Sequence, residues 1–255
     1  MRKSLFIGIW VASMALPLLA EPLSIYTEIA PPAQFIGSDG QLTGLAVEMV
    51  REIQKRIGNA DPIEVVPWIR GYKEIESRPN VVLLSMARTV ERDSLFEWVG
   101  PTEELQYSFF VRSQSDIRIN SLEDAKRLRQ IGVYKEDVRE RFLTQAGFTN
   151  LDRSINQPIM LKKLMDNRID ALVSSPETIT EFAKGEGIDP NSLKEAFVFL
   201  KVQIFIAFSK GTSPSILQAW SMAFDSMKKD GTFKRIYRKY YPTRPLPGPA
   251  VSPKS

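Results

Sequence analysis

The chain of 255 residues contains no cysteine and no histidine. Without cysteine there is no disulfide framework, no thiolate metal site and no lipid-modified cysteine behind a leader peptide. Without histidine, zinc-hydrolase motifs and Ser-His-Asp catalysis lack their materials. Long apolar runs are also scarce. One lies at the N-terminus, over residues 5–19, and it is shorter than the ~18 or more residues of a membrane-spanning helix. Phosphate-cradling glycine loops are missing: the only Gly-x-Gly, Gly185-Glu186-Gly187, follows a helical stretch rather than a strand and reads as a turn. There is no G-x-S-x-G nucleophile elbow, and sequence spacing alone shows no pair of carboxylates held face to face. These absences describe a chain that binds rather than catalyses.

What is present describes an exported globular protein. Hydrophobic residues make up 43% and charged residues 25%, enough for a sizeable core in one large domain or two lobes of ~100–150 residues each. Arg2 and Lys3 precede the N-terminal apolar run, and small Ala20 stands just before Glu21-Pro22. A positive start, a short apolar stretch and a small residue at the end make a secretory signal peptide, with cleavage expected after about Ala20 and export as its consequence. Net charge is +4, and removing Arg2 and Lys3 from it leaves +2 on the mature chain. Lys228, Lys229, Lys234, Arg235, Arg238 and Lys239 cluster near the C-terminus. They alternate with apolar residues at helical spacing, which predicts a solvated helix face rather than a nucleic-acid surface.

Periodicity predicts an α/β fold. Residues 23–26, 63–66 and 81–85 read as short strands. Leu45, Met49, Val50, Ile53 and Ile57 share one face of a helix that Gly58 ends. A second set follows: strands at residues 108–111, 130–133, 171–174 and 204–208, and a capping Ser121 ahead of an acidic helical turn. A helix is predicted over residues 137–145 and another carries Leu161, Leu164 and Met165. Near the end, Ile216, Trp220, Ala223, Phe224 and Met227 face inward on one helix and Phe233, Ile236, Tyr237 and Tyr240 on another. Residues 242–255 contain Pro242, Pro245, Pro247, Pro249 and Pro253 and should form an extended, flexible tail. No internal repeat is visible.

Four punctuated blocks carry a resemblance to extracellular solute-binding protein family 3, the polar amino-acid receptors of ABC transporters. Asp39-Gly40-Gln41-Leu42-Thr43-Gly44-Leu45-Ala46-Val47-Glu48 matches the opening block "dG-x-l-x-G-f-d-v-D" of that family. Ser85-Met86-Ala87-Arg88-Thr89-Val90-Glu91-Arg92, with Phe96 and Gly100-Pro101, matches "G-x-t-x-T-x-e-R … F-s-x-P". Asn167-Arg168-Ile169-Asp170-Ala171 matches "g-R-x-D-A", and Asp230-Gly231-Thr232 with Tyr237-Arg238-Lys239-Tyr240 matches the closing "d-G-t … i-x-x-K-y". The resemblance implies a two-lobed periplasmic-binding-protein type II fold with a ligand cleft between α/β lobes. Lobe 1 would comprise residues 21–110 and 205–241, lobe 2 residues 111–204, with crossings near residues 108–112 and 204–208. It also implies a monomer without cofactor that delivers a small solute to an inner-membrane permease and binds no nucleic acid.

The resemblance suggests site residues. Arg92 ends the T-x-e-R motif and would clamp a carboxylate through its planar fork; a surface arginine paired with Glu91 or Asp93 is the alternative. Ser85 and Ala87 occupy the assisting positions, and Ala87 lacks the usual hydroxyl. Trp68, within Pro67-Trp68-Ile69-Arg70, would be an aromatic platform or a core tryptophan, with Arg70 beside it. Tyr26 and Glu28 stand at the end of the first strand, at a position near the amino group of the ligand. Departures fall in the second lobe: Tyr134 stands in a stretch lacking the usual Gly-Thr, and Ser175 replaces the aspartate that neutralises an α-ammonium. An unpaired buried ammonium is costly, so Glu28, Glu136 or Glu177 must compensate, or the ligand lacks that group. Two other functions stay open: a cyclohexadienyl-dehydratase-like enzyme using a carboxylate as general acid, and a soluble sensor for a membrane receptor.

Overall fold

The computed structural model describes residues 22–253, so the expected leader and its cleavage point lie outside the described residues. The chain begins with the buried strand β1 (Ser24–Thr27) and a small hairpin, β2 (Phe35–Ile36) and β3 (Leu42–Thr43). Helix α1 (Leu45–Ile57) buries Leu45, Met49, Val50 and Ile53 against the sheet and ends at Gly58, whose φ of 69° is the left-handed C-cap expected of glycine. Its start depends on Gly44, at φ 123°, where a Cβ would lie 2.4 Å from the Ala33 carbonyl oxygen. Strand β4 (Ile63–Val65), helix α2 (Trp68–Ser77), strand β5 (Val81–Ala87) and the short helix α3 (Val90–Asp93) complete this half.

Strand β6 (Phe96–Arg112) then runs 17 residues out of the first lobe into the second. There the short α4 (Leu122–Lys126), β7 (Ile131–Tyr134), α5 (Val138–Gln145), β8 (Leu151–Ser154), α6 (Gln157–Met165), β9 (Ala171–Ser174) and α7 (Pro176–Gly185) follow in turn. Strand β10 (Leu193–Ser209) carries the chain back, and α8 (Pro214–Lys229) and α9 (Thr232–Tyr240) pack on the first lobe. The expected crossings at residues 108–112 and 204–208 are therefore the ends of two much longer strands.

All but the small hairpin strands join one eight-stranded sheet in the order β4-β1-β5-β10-β6-β9-β7-β8. The outer strands are parallel within each lobe, and the first strand of each set lies in the middle: β4-β1-β5 and β8-β7-β9. The two lobes thus share a topology that leaves no repeat in the sequence. The crossing strands pair antiparallel from Leu193↔Arg112 to Ser209↔Phe96, with register shifts at Glu195/Phe197, Val198/Leu200 and Ile204/Ile206. Such irregularities bend and twist a ribbon.

Each lobe has its own apolar core. In the first, Trp220, Phe224 and Tyr237 meet Val47 and Ile53 over one sheet face. In the second, Phe109, Ile131, Val133 and Val173 form one cluster and Leu161, Leu164 and Leu172 another. Among the described residues no helix is long and apolar enough to cross a membrane, and no His/Cys/Asp/Glu group is placed to hold a metal ion. The basic C-terminal residues Lys228, Lys229, Lys234, Arg235 and Lys239 are exposed, as a solvated face requires.

Candidate ligand-binding cavity

Parallel sheets gather functional groups at the carboxyl ends of their strands, and here both lobes aim those ends at one space. The cavity has a volume of about 50 Å³. Every parallel strand delivers a lining residue just at or beyond its end: Glu28 after β1, Trp68 after β4, Ser85 and Ala87 on β5, Asp137 and Arg139 after β7, Gln157 after β8 and Thr178 after β9. Glu103 and Tyr107 of the crossing strand β6, Gln34 and Tyr241 also line it.

Arg92 is almost wholly buried, 2% exposed. Its guanidinium carbon lies 5.4 Å from the Trp68 ring and 5.0 Å from that of Tyr72, and its Nη1 donates to the Ala87 carbonyl at 3.3 Å. Nη2 is buried and has no partner. Burial draws its pKa downward. Stacking on aromatic faces holds the fork in place, leaving one nitrogen for another acceptor.

Glu28 presents the opposite charge. Its Oε2 is buried without a hydrogen-bond partner, and burial raises its pKa from 4.5 to about 7, against the lowering effect of a hydrogen bond with Tyr134. Glu103 is 1% exposed; it accepts the Tyr241 hydroxyl at 2.9 Å on Oε2 and leaves Oε1 unpartnered. Burial raises it, too, to about 7. Arg139, by contrast, is satisfied. It makes two bonds to Asp137, Nε to Oδ1 at 2.7 Å and Nη2 to Oδ2 at 3.0 Å, and it lies 5.0 Å from the Tyr107 ring. Asp137 also caps α5 by accepting the Arg139 backbone N–H, so one carboxylate starts a helix and fixes a buried cation.

The residues singled out by sequence divide into two groups. Arg92, Trp68, Glu28, Ser85 and Ala87 line the cavity. Ser85 has φ 56° and donates to Gln34 Oε1 at 2.9 Å. Trp68 is both wall and core: it is 5% exposed, 5.6 Å from the Tyr72 ring, and donates Nε1 to the Glu136 carbonyl in the other lobe at 3.0 Å. The remaining four stand apart from the wall. Tyr26 packs behind it with Trp68 and Tyr134. Tyr134 acts on the site through Glu28. Arg70 is exposed on α2. Ser175 caps α7, with its hydroxyl engaged by Thr178, and it is Thr178 that reaches the cavity.

Sequence reasoning did not single out Glu103, Asp137, Arg139 or Tyr241. Asp137 stood at a predicted helix start, a place where an acid needs no further explanation. Glu103 lay outside the strand predicted at residues 108–111; once β6 is extended to Phe96, alternation sends Glu103 inward while Glu104 faces out.

The cleft geometry agrees with the comparisons. Residues 23–243 match the model of the bacterial extracellular solute-binding proteins, family 3. The chain is 24% identical over 213 residues to the L-cystine-binding protein TcyJ of Escherichia coli (strain K12), covering 83% of this chain and 79% of that one. Among solved structures, a histidine kinase sensor domain with similarity to periplasmic binding proteins aligns with a TM-score of 0.77 at 18% identity, over 86% of this chain and 96% of the other. An ancestral arginine-binding protein bound to arginine aligns with a TM-score of 0.76 at 24% identity, over 86% and 98%. The fold is that of the two-lobed type II periplasmic binding proteins, and the chain belongs to family 3 of the bacterial extracellular solute-binding proteins.

Proposed function

We propose that this protein is a periplasmic receptor that closes around a small amino acid or related carboxylate-bearing solute and presents it to the permease of an ABC transporter. One observation carries the reading: a buried cation and a buried acid, each with an unpartnered atom, line one small cavity between the lobes. Arg92 Nη2 would take a carboxylate oxygen, and Glu28 Oε2 an ammonium hydrogen. The ammonium would ionise Glu28, so the acid that Ser175 does not supply comes from the first lobe instead. Arg139 contributes position rather than free charge, because Asp137 already neutralises it.

Binding rather than chemistry is supported by the serine and threonine hydroxyls of the wall. Ser85 donates to an amide oxygen and Thr178 accepts from Ser175, so neither has a base to activate it. One observation favours a second reading, a dehydratase-like enzyme: an acid with a pKa of about 7 lining the cavity, Glu28, suits a general acid. Turnover of arogenate or prephenate by the mature protein would establish that reading in place of the first.

Titration calorimetry against amino acids, amines and organic acids tests the receptor. Arg92→Ala is expected to weaken every carboxylate ligand by roughly 10- to 100-fold, the worth of one charge-assisted hydrogen bond. Glu28→Gln should weaken only those that also carry an ammonium. A carboxylate ligand that binds Arg92→Ala as tightly as the parent would overturn the assignment.

A further inference from the structure

The polypeptide continues past its last helix, and past residue 243, where the match to the family model ends. Tyr241 turns inward, 5% exposed, donates to Glu103 and lines the cavity. Arg238 on α9 donates through Nη1 to two carbonyls of the chain that follows, Pro242 at 2.9 Å and Arg244 at 2.7 Å. This winds the segment back on the first lobe and carries the Arg244 side chain over the Tyr241 ring at 4.8 Å. From there its Nη1 reaches Glu177 Oε1 at 3.2 Å, in the first turn of α7 on the second lobe.

Further on, the tail has no helix or strand but is pinned to the crossing strands. Gly248 N–H donates to Glu104 Oε1 at 3.0 Å, and Gln203 both donates to the Pro249 carbonyl at 2.9 Å and accepts the Val251 N–H at 3.0 Å. Glu104 and Gln203 are directly paired across β6 and β10. Residues of this tail line an open groove of about 1420 Å³, which shares Arg92, Leu105 and Val138 with the wall of the small cavity.

We propose that the C-terminal segment from Tyr241 to Val251 is an interlobe latch, in which Arg244, anchored on the first lobe, holds Glu177 of the second and keeps the cleft shut. The attachments differ in kind. Those at Gly248, Pro249 and Val251 sit on the crossing strands themselves and survive a rotation about them. The Arg244–Glu177 pair joins one lobe to the other and must part when the lobes separate. The ion pair is only partly shielded, at 20% and 30% side-chain exposure, so it biases the equilibrium without freezing it.

The absence of cysteine provides a clean test. Glu76→Cys on exposed α2 and Arg168→Cys on the second lobe would carry a spin-label pair on the full mature chain, and electron–electron distance measurement without ligand would report the lobe separation. Arg244→Ala, and separately a chain ending at Pro242, should raise the ratio of long to short distances roughly three- to tenfold. Exchanging the charges, Arg244→Glu with Glu177→Arg, should restore the parental distribution. Identical distributions for the parent, Arg244→Ala and the shortened chain would overturn the latch. The inference uses the proposed cleft, yet this measurement needs no ligand, so it fails separately from a failure of Arg92 to hold a carboxylate.

Discussion

Two buried acids set the chemistry of the cavity at the scale of single residues. Glu103 and Glu28 both rise from 4.5 to about 7, mainly because burial disfavours the charged form. A group of this kind binds its proton more tightly folded than unfolded. Stability is therefore undiminished below pH 4.5, declines as pH rises through the interval to 7, and stays reduced above it. For Glu103, 1% exposed, the loss is on the order of 3 kcal/mol, at about 1.4 kcal/mol per pH unit. Scanning calorimetry of the unliganded mature protein should show its melting temperature falling between pH 5 and 7. Glu103→Gln should remove a large part of that fall, and a flat profile in the parent would contradict the burial argument. The places of Arg92 and Glu28 in the cavity wall follow a motif and a strand end visible in the sequence. Arg139 was not marked in this way, since an arginine in the first turn of a helix reads as solvated until Asp137 and two tyrosine rings enclose it.

Elements, in turn, were legible wherever a local signal sufficed. Helix α1 falls at Leu45–Ile57, where its apolar spacing and Gly58 put it. Strand β9 falls at Ala171–Ser174, as its continuous apolar run predicts. The crossing strands β6 and β10 were read as short terminal pieces, because their middle portions carry charges such as Glu103, Glu104 and Lys201 that no strand pattern suggests. Pairing with each other stabilises them, and that pairing joins residues about a hundred positions apart. Helix α2 went unread because Gly71 inside it weakens the helical pattern. Gly44 offers a test at this scale. Alanine there would meet the Ala33 carbonyl at 2.4 Å in a backbone conformation, φ 123°, that L-residues avoid. Chemical denaturation should show Gly44→Ala destabilised by roughly 3 kcal/mol. A loss below 1 kcal/mol would mean that the entry to α1 relaxes freely.

At the scale of the whole molecule, the question is what balances closure against opening. Two crossing strands and the C-terminal segment join the lobes, so contacts made directly across the cleft decide the balance. They are partly apolar: Tyr134 and Met160 of the second lobe pack into one cluster with Tyr26, Trp68 and Tyr72 of the first. Trp68 adds a hydrogen bond to the Glu136 carbonyl, and Arg141 lies 5.0 Å over the Tyr72 ring. A closed form this well joined lets a ligand complete the closure rather than drive all of it. Met160 separates the two contributions, because it is 2% exposed in this cluster and does not line the cavity. Removing its side chain in Met160→Ala deletes apolar contact worth about 2 kcal/mol or more in the closed form. If the contact belongs to closure, the ligand dissociation constant should rise toward roughly tenfold or more, and the unliganded melting temperature should fall only by the advantage of the closed form over the open one, since the open form never had the contact. The reverse pattern, a clear drop in melting temperature with affinity unchanged, would place Met160 in the static core of the second lobe and leave closure to the polar contacts and the latch.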